Sequence, residues 1–136
     1  MIGALGALAA GAAAAYLLIP TYYNKLVSPD LIRQLPDASQ VALTFDDGPD
    51  PRYTSKLLDL LKEQHIKATF FVVAKRADAH PELVERILKE GHCLALHSYE
   101  HKNAMVKGAA YVRFDFDMSM EVFRRHGWPV HFYRCV

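Results

Sequence analysis

Hydrophobic positions from residue 40 onward switch repeatedly between two patterns. Short continuous runs of apolar residues are typical of buried strands, and they fall at residues 41–45, 68–74, 93–96 and 130–133. Stripes with apolar residues three or four positions apart are typical of helices, and they fall at residues 54–65, 81–90 and 109–126. This alternation predicts an α/β fold with about four parallel strands joined by three crossover helices.

The longest helical stripe lies in residues 109–126. Its apolar residues recur at intervals of four, four and three, as Val112, Phe116, Met120 and Phe123. Such spacing predicts a single apolar helix face, and the glycine at position 127 is a typical helix end.

The N-terminal segment has a different character. Residues 2–19 are apolar and uncharged, and as an N-terminal apolar helix they would span about 27 Å, slightly less than the hydrocarbon core of a bilayer. We predict a transmembrane anchor or signal segment at 1–24, a linker at 25–39 and the folded domain at 40–136. An anchor would hold this domain outside the cytoplasm at the cell membrane, and a cleaved signal peptide would lead to secretion. A buried alanine-rich helix is a third interpretation.

The charge balance argues against a nucleic-acid partner. The chain has 16 basic and 15 acidic side chains, and they form neither a basic arm nor an acidic tail.

The two cysteines are predicted to remain free thiols. Cys93 opens one predicted strand and Cys135 follows another, so in neighbouring parallel strands they would lie at opposite edges, too far apart for a disulfide.

Two polar motifs follow predicted strands. TFDDGP at residues 44–49 places Asp46 and Asp47 on a sharp turn, and HSYEH at residues 97–101 supplies His97 and His101. One carboxylate and two imidazoles are a sufficient ligand set for a catalytic divalent metal, and the second carboxylate is then available as a base. Either motif alone would fit an ordinary turn or helix face. Together, at the carboxyl edge of a parallel sheet, they indicate metal-assisted hydrolysis.

These motifs resemble those of the polysaccharide deacetylases, the carbohydrate esterase family 4 or NodB-homology family, over roughly residues 38–135. The family's first motif is TFDDGP and its second is H-S/T-x-x-H, and both match here. The resemblance implies an incomplete (β/α) barrel and a hydrolase that removes acetyl groups from N-acetylated carbohydrate, such as peptidoglycan or a chitin-like glycan. It assigns Asp46 as the general base and Asp47, His97 and His101 as ligands of a divalent metal, with zinc as the expected ion.

A third family motif begins with an arginine followed by x-Pro-aromatic. Arg134 matches its start, although Val136 stands where the proline would be. The resemblance implies that Arg134 orients Asp46 and keeps it ionised, and an ordinary surface arginine is the alternative. The family's later aspartate segment and final histidine have no counterpart, so we expect the chain to be the N-terminal part of such an enzyme. The alternative function is a membrane-tethered fragment that binds metal or glycan without turnover.

Overall fold

The computed structural model describes residues 39–103 and 107–136, and before residue 39 only positions 6, 11–16, 18, 19, 22, 23 and 26. The chain divides into two compact units, Met1–Val41 and Ala42–Val136. The predicted anchor and linker lie mostly outside the described residues and stay predictions. Within the part of the chain that the structure describes, no helix combines the length and the apolar character that a membrane span requires.

The second unit is built on a parallel sheet. Its strands are β1 (Thr44–Gly48), β2 (Thr69–Val73) and β3 (Cys93–Ser98), in the spatial order β1-β2-β3. The helices are α1 (Thr54–Glu63), α2 (Ala74–Ala79), α3 (Pro81–Lys89) and α4 (Ala109–His126). The α/β class and the parallel order predicted from the sequence are therefore confirmed.

The prediction of a fourth strand at residues 130–133 is wrong. Tyr133 makes only an isolated parallel bridge to Leu96. The backbone N–H of Leu96 donates to the carbonyl of Phe132, and the N–H of Arg134 donates to the carbonyl of Leu96, each over 2.9 Å. Strands of a parallel sheet are normally covered on both faces, whereas Phe132 and Tyr133 are exposed, so this segment pairs at one point only. That point is nevertheless enough to fix the backbone of Arg134.

The sequence pattern does not predict helix α2, because the apolar run of β2 continues through Ala74. The chain leaves the sheet at Val73 and turns directly into the helix. Alanine, lysine and arginine are strong helix formers, and Ala74 and Ala77 are fully buried against the core. Six residues are too few to display a helical period in the sequence.

The core lies between the sheet and its helices. Phe70 and Val72 of β2 lie opposite Leu94 and Leu96 of β3, and all four side chains are buried. Helices α1, α3 and α4 and the segment that follows α4 contribute further large apolar side chains to the core, which are Leu58, Leu61, Val84, Ile87, Val122, Phe123 and Trp128. The continuous apolar character of β2 thus follows from its central position. Both cysteines are free, as predicted.

The single apolar face predicted for α4 is only partly correct. Phe123 is buried, but Val112 and Phe116 are each 40% exposed. Asp115 and Ser119 are buried in their place. The first half of the helix therefore turns a polar side toward the protein interior, which the spacing of its apolar residues did not reveal.

The end of α4 is tied to α2. Gly127 adopts φ 68° in the left-handed region, and the N–H of Trp128 donates to the carbonyl of Phe123 over 2.9 Å, which closes the helix. Arg125 and His126 of the last turn both contact the Asp78 carboxylate, at 2.7 and 2.8 Å. The hydrogen bond from His126, followed by that from Arg125, lowers the pKa of Asp78.

This ion pair predicts an acid-sensitive contribution to stability. Because the pKa of Asp78 is lowered on folding, its contribution is present above the ordinary value of 3.8 and is lost as the pH falls through the folded pKa. Asp78→Asn should therefore lower the free energy of unfolding near neutral pH, and its difference from the parent chain should shrink below pH 3.8. Urea unfolding across this pH range measures both quantities.

Glu121→Gln is the matched control, since Glu121 pairs with Arg124 on the exposed surface of the same helix. This substitution should change the free energy of unfolding by no more than about 0.5 kcal/mol at every pH. A deficit in Asp78→Asn that is the same at all pH values would mean that the side chain acts through packing and not through charge.

Candidate metal and catalytic site

Asp47 is the extra residue of a β-bulge. In the pairing of β1 with β2, Asp46 lies opposite Phe71 and Gly48 lies opposite Val72, so Asp47 is inserted between them. Consecutive side chains of a regular strand point to opposite faces, and a bulge re-aims one of them. Asp47 has φ 68°, a conformation that aspartate tolerates better than most residues. The acid pair thus lies at a bulge inside the end of β1, and not on a turn after it as predicted.

His97 occupies the corresponding position on the other side of β2. Val72 pairs with Leu96 and Val73 pairs with Ser98, so His97 is the extra residue of β3. The predicted end of this strand at residue 96 was two residues short. The two bulges interrupt the ladders on either side of the carboxyl end of β2, and they bring an acid and an imidazole to the same edge of the sheet.

The structure brings together the three predicted metal ligands. Oδ1 of Asp47 lies 3.2 Å from Nε2 of His97 and 2.8 Å from Nε2 of His101. One ligand atom from each residue falls within a group no wider than 4.8 Å. Two ligand atoms bound at 2.0–2.1 Å to a tetrahedral ion lie about 3.3 Å apart, so the observed separations suit one zinc-sized ion.

The buried ring of His97 is oriented by its second nitrogen. Nδ1 lies 2.8 Å from the carbonyl oxygen of Arg134, which can only accept, so Nδ1–H is the donor. In the neutral ring this leaves the lone pair on Nε2, the atom that faces Asp47. Such a hydrogen bond to the far nitrogen is the usual support of a metal-binding histidine.

His101 is held by its own backbone. Its φ of 58° lies in the left-handed region, and its N–H donates to Oγ of Ser98 over 2.8 Å. The local backbone role expected for Ser98 is therefore confirmed. Residues in sparsely populated backbone conformations cluster at functional sites, and both Asp47 and His101 belong to that class.

Arg134 lies against Asp46. Its Nη1 donates to both carboxylate oxygens, at 2.8 and 3.0 Å, and contacts Oγ1 of Thr44 at 3.3 Å. The guanidinium also lies over the ring of Phe71, 4.0 Å from its centre. This is the contact that the sequence resemblance implied, and the arginine side chain is still 42% exposed.

Residues of α2 support the site, and sequence reasoning missed them. Nη1 of Arg76 donates to the carbonyl of Asp47 over 2.5 Å. The backbone N–H of Lys75 donates to the carbonyl of Tyr99 over 3.1 Å, and its Nζ pairs with Glu100 at 3.0 Å. The first turn of α2 therefore contacts both ligand-bearing segments. No sequence signal identified these contacts, since α2 itself was not predicted.

The HSYEH segment also carries a small charge network. Hydrogen bonds from Lys102 and then from Lys75 hold the pKa of the Glu100 carboxyl below its ordinary value. Glu100 therefore ties the loop to α2 through its ion pair with Lys75.

A cavity of about 280 Å³ borders the acid pair. Its wall combines aromatic and aliphatic side chains with polar ones, including Tyr53, Leu57, Asp46, Asp47 and Arg76. Mixed linings of this kind are typical of small-molecule sites, in which a few polar groups orient a ligand.

The chain is similar to known proteins of one family. A family model described as polysaccharide deacetylase matches residues 33–135. The chain is 51% identical over 65 residues to a peptidoglycan-N-acetylglucosamine deacetylase of Bacillus cereus, which is 48% of this chain and 24% of that protein. It is 46% identical over 65 residues to a chitooligosaccharide deacetylase of Rhizobium leguminosarum bv. trifolii, covering 48% of this chain and 30% of that protein.

Solved structures give the same result. Peptidoglycan deacetylase PdaC from Bacillus subtilis superposes with a TM-score of 0.65 at 34% identity, over 69% of this chain and 47% of that one. The matched region thus spans between about a quarter and about a half of the relatives' length. With a family model that covers most of its residues, this chain belongs to the polysaccharide deacetylase family.

Proposed function

We propose that this chain carries the metal site of a hydrolase that removes acetyl groups from N-acetylated carbohydrate. The observation that carries the proposal is the convergence of Asp47, His97 and His101, with a second carboxylate, Asp46, held beside them by Arg134. A carboxylate left outside the ligand set is what general-base hydrolysis at a metal centre requires.

Zinc is the ion that the donor set fits best. Two imidazole nitrogens and one carboxylate oxygen suit zinc, and a three-residue set leaves one position open. Asp47, His97 and His101 would hold the ion, with His97 oriented through the carbonyl of Arg134. A zinc ion bound there supplies a water of lowered pKa and a Lewis acid for the acyl carbonyl.

The remaining residues perform the acid–base and binding work. Asp46 takes a proton from the attacking water, and Arg134 holds its carboxylate in place. Water adds to the acetyl carbon, the proton taken up by Asp46 passes to the leaving nitrogen as the carbon–nitrogen bond breaks, and acetate and a free amino sugar are formed. The cavity that borders Asp46 and Asp47, with Tyr53 and Leu57 in its wall, is the candidate sugar site, and neither His97 nor His101 lines it.

The proposed substrate is a glycan of N-acetylglucosamine, either peptidoglycan or a chitin-like oligosaccharide. The relatives named above act on these two classes. Such polymers lie at the cell surface, so we also propose an extracytoplasmic location, either tethered at the membrane or secreted.

The metal ligands can be tested by zinc titration of the full chain. His97→Ala should weaken zinc binding by at least about 100-fold, because it removes one of three ligands. Calorimetry at neutral pH measures the dissociation constant. His131→Ala is the control, since His131 is exposed and lies outside the ligand group. Equal affinity in the parent chain and in His97→Ala would refute the ligand assignment.

The general base can be tested separately from the metal. Asp46→Asn should reduce acetate release from a chitooligosaccharide by about 10²–10⁴-fold, while zinc affinity changes little because Asp46 is not a ligand. Asp59→Asn is the matched control, since this exposed carboxylate pairs with Arg86.

Undiminished acetate release in Asp46→Asn would contradict the assigned role. Zinc binding by the parent chain without any acetate release would favour the alternative of a fragment that binds metal or glycan without turnover.

A further inference from the structure

Asp115 is an acidic residue buried where an apolar one is expected. It is 6% exposed, and Ser119 one turn later is fully buried, while the apolar Val112 and Phe116 on the same helix face solvent. Carboxylates are almost never buried without partners, because removal from water costs several kcal/mol. The reversed polarity of α4 therefore indicates that the carboxylate has a specific task.

Its partners lie in the metal-site loop and on its own helix. Oδ2 of Asp115 accepts the backbone N–H of Tyr99 over 3.0 Å, and Oδ1 lies 3.4 Å from the hydroxyl of Tyr111. Desolvation and then the charge of Asp115 raise the pKa of Tyr111, so that its hydroxyl keeps its proton and remains a donor.

The contact between Asp115 and Tyr99 lies where the chain leaves β3 and enters the loop that carries His101. Tyr99 directly follows Ser98, which makes the last ladder pair of β3. Its N–H donates to Asp115 of α4, and its carbonyl accepts from the N–H of Lys75 of α2. Two helices therefore hold the backbone of this one residue. Two residues later His101 must hold its left-handed conformation and present Nε2 to Asp47.

We propose that Asp115 is a positioning residue for the metal ligand His101, acting through the backbone of Tyr99. This inference rests on the proposed function, since it concerns the same metal site. Metal ligands must be held to within about 0.5 Å, and the groups that orient them typically contribute 10–100-fold to metal affinity. Among the described residues, the ladder of β3 ends at Ser98 and does not continue to His101, so Asp115 supplies that precision from α4.

A carboxylate suits this position better than a neutral side chain. An ionised acceptor makes a hydrogen bond roughly twice as strong as a neutral one, and it has two oxygens for two donors. Asparagine would keep an acceptor oxygen for the N–H of Tyr99 but would lose the charge. Leucine would lose both the acceptor oxygen and the charge. The three side chains are similar in size, so they form a graded series at this site.

The test is zinc titration of the full chain with substitutions at this position. We expect Asp115→Asn to weaken zinc binding about 3-fold and Asp115→Leu to weaken it about 10–100-fold. Ser119→Ala is the matched control, because Ser119 is equally buried on α4 and its hydroxyl donates to the backbone carbonyl of Asp115. Zinc affinity in Ser119→Ala should be unchanged. A role in stability alone would instead lower the unfolding free energy without this graded loss of affinity.

Amide hydrogen exchange of the zinc-free chain gives a second readout. Exchange at Tyr99 and His101 should be faster in both Asp115 variants and unchanged in Ser119→Ala. If Asp115→Leu does not fold, zinc affinity and amide exchange in Asp115→Asn still test whether Asp115 positions His101. Parental zinc affinity together with parental exchange at Tyr99 would overturn the proposal. Absence of zinc binding by the parent chain would refute the proposed function, and the exchange rates would still decide whether Asp115 fixes the loop.

Discussion

The site depends on two β-bulges that lie at the carboxyl end of the sheet. Asp47 and His97 are both extra residues of bulges, one on each side of β2. Without them, Asp46 and Asp47 would point to opposite faces, and His97 would follow the regular alternation of β3. The bulges convert two neighbouring acids into one ligand and one base, and they place the ligand next to an imidazole.

These irregular backbones are held by the elements around them. Arg76 and Lys75 at the start of α2 contact the Asp47 carbonyl and the Tyr99 carbonyl, respectively. Helix α2 is in turn joined to the end of α4 through Asp78. A regular sheet edge would need no such support, whereas residues in strained conformations persist only where their surroundings determine them. The short helix is therefore part of the site even though it contributes no ligand.

The sequence predicted much of the fold and the members of the site, and the reasons for its failures are physical. Long periodic segments such as α4 and the apolar run of β2 carry a strong local signal, so their positions were correct within a residue or two. The motif residues converge because carboxyl ends of parallel strands share an edge. The bulges, α2 and the buried Asp115 depend on contacts between segments distant in the chain, and no local pattern encodes them. The prediction of a strand at residues 130–133 failed because Phe132 and Tyr133 are not covered by other elements.

Arg134 contacts both a proposed metal ligand and the proposed base. Its backbone carbonyl accepts from Nδ1 of His97, and its guanidinium donates to Asp46, so one residue orients a ligand and the base together. These two contacts come from different parts of the residue, and only the second depends on the side chain. The backbone contact is set by the bridge of Tyr133 to Leu96, a single point of pairing beside β3. A segment too exposed to form a strand thus aligns the ligand and the base, because one pair of ladder hydrogen bonds is enough to fix a peptide beside the sheet.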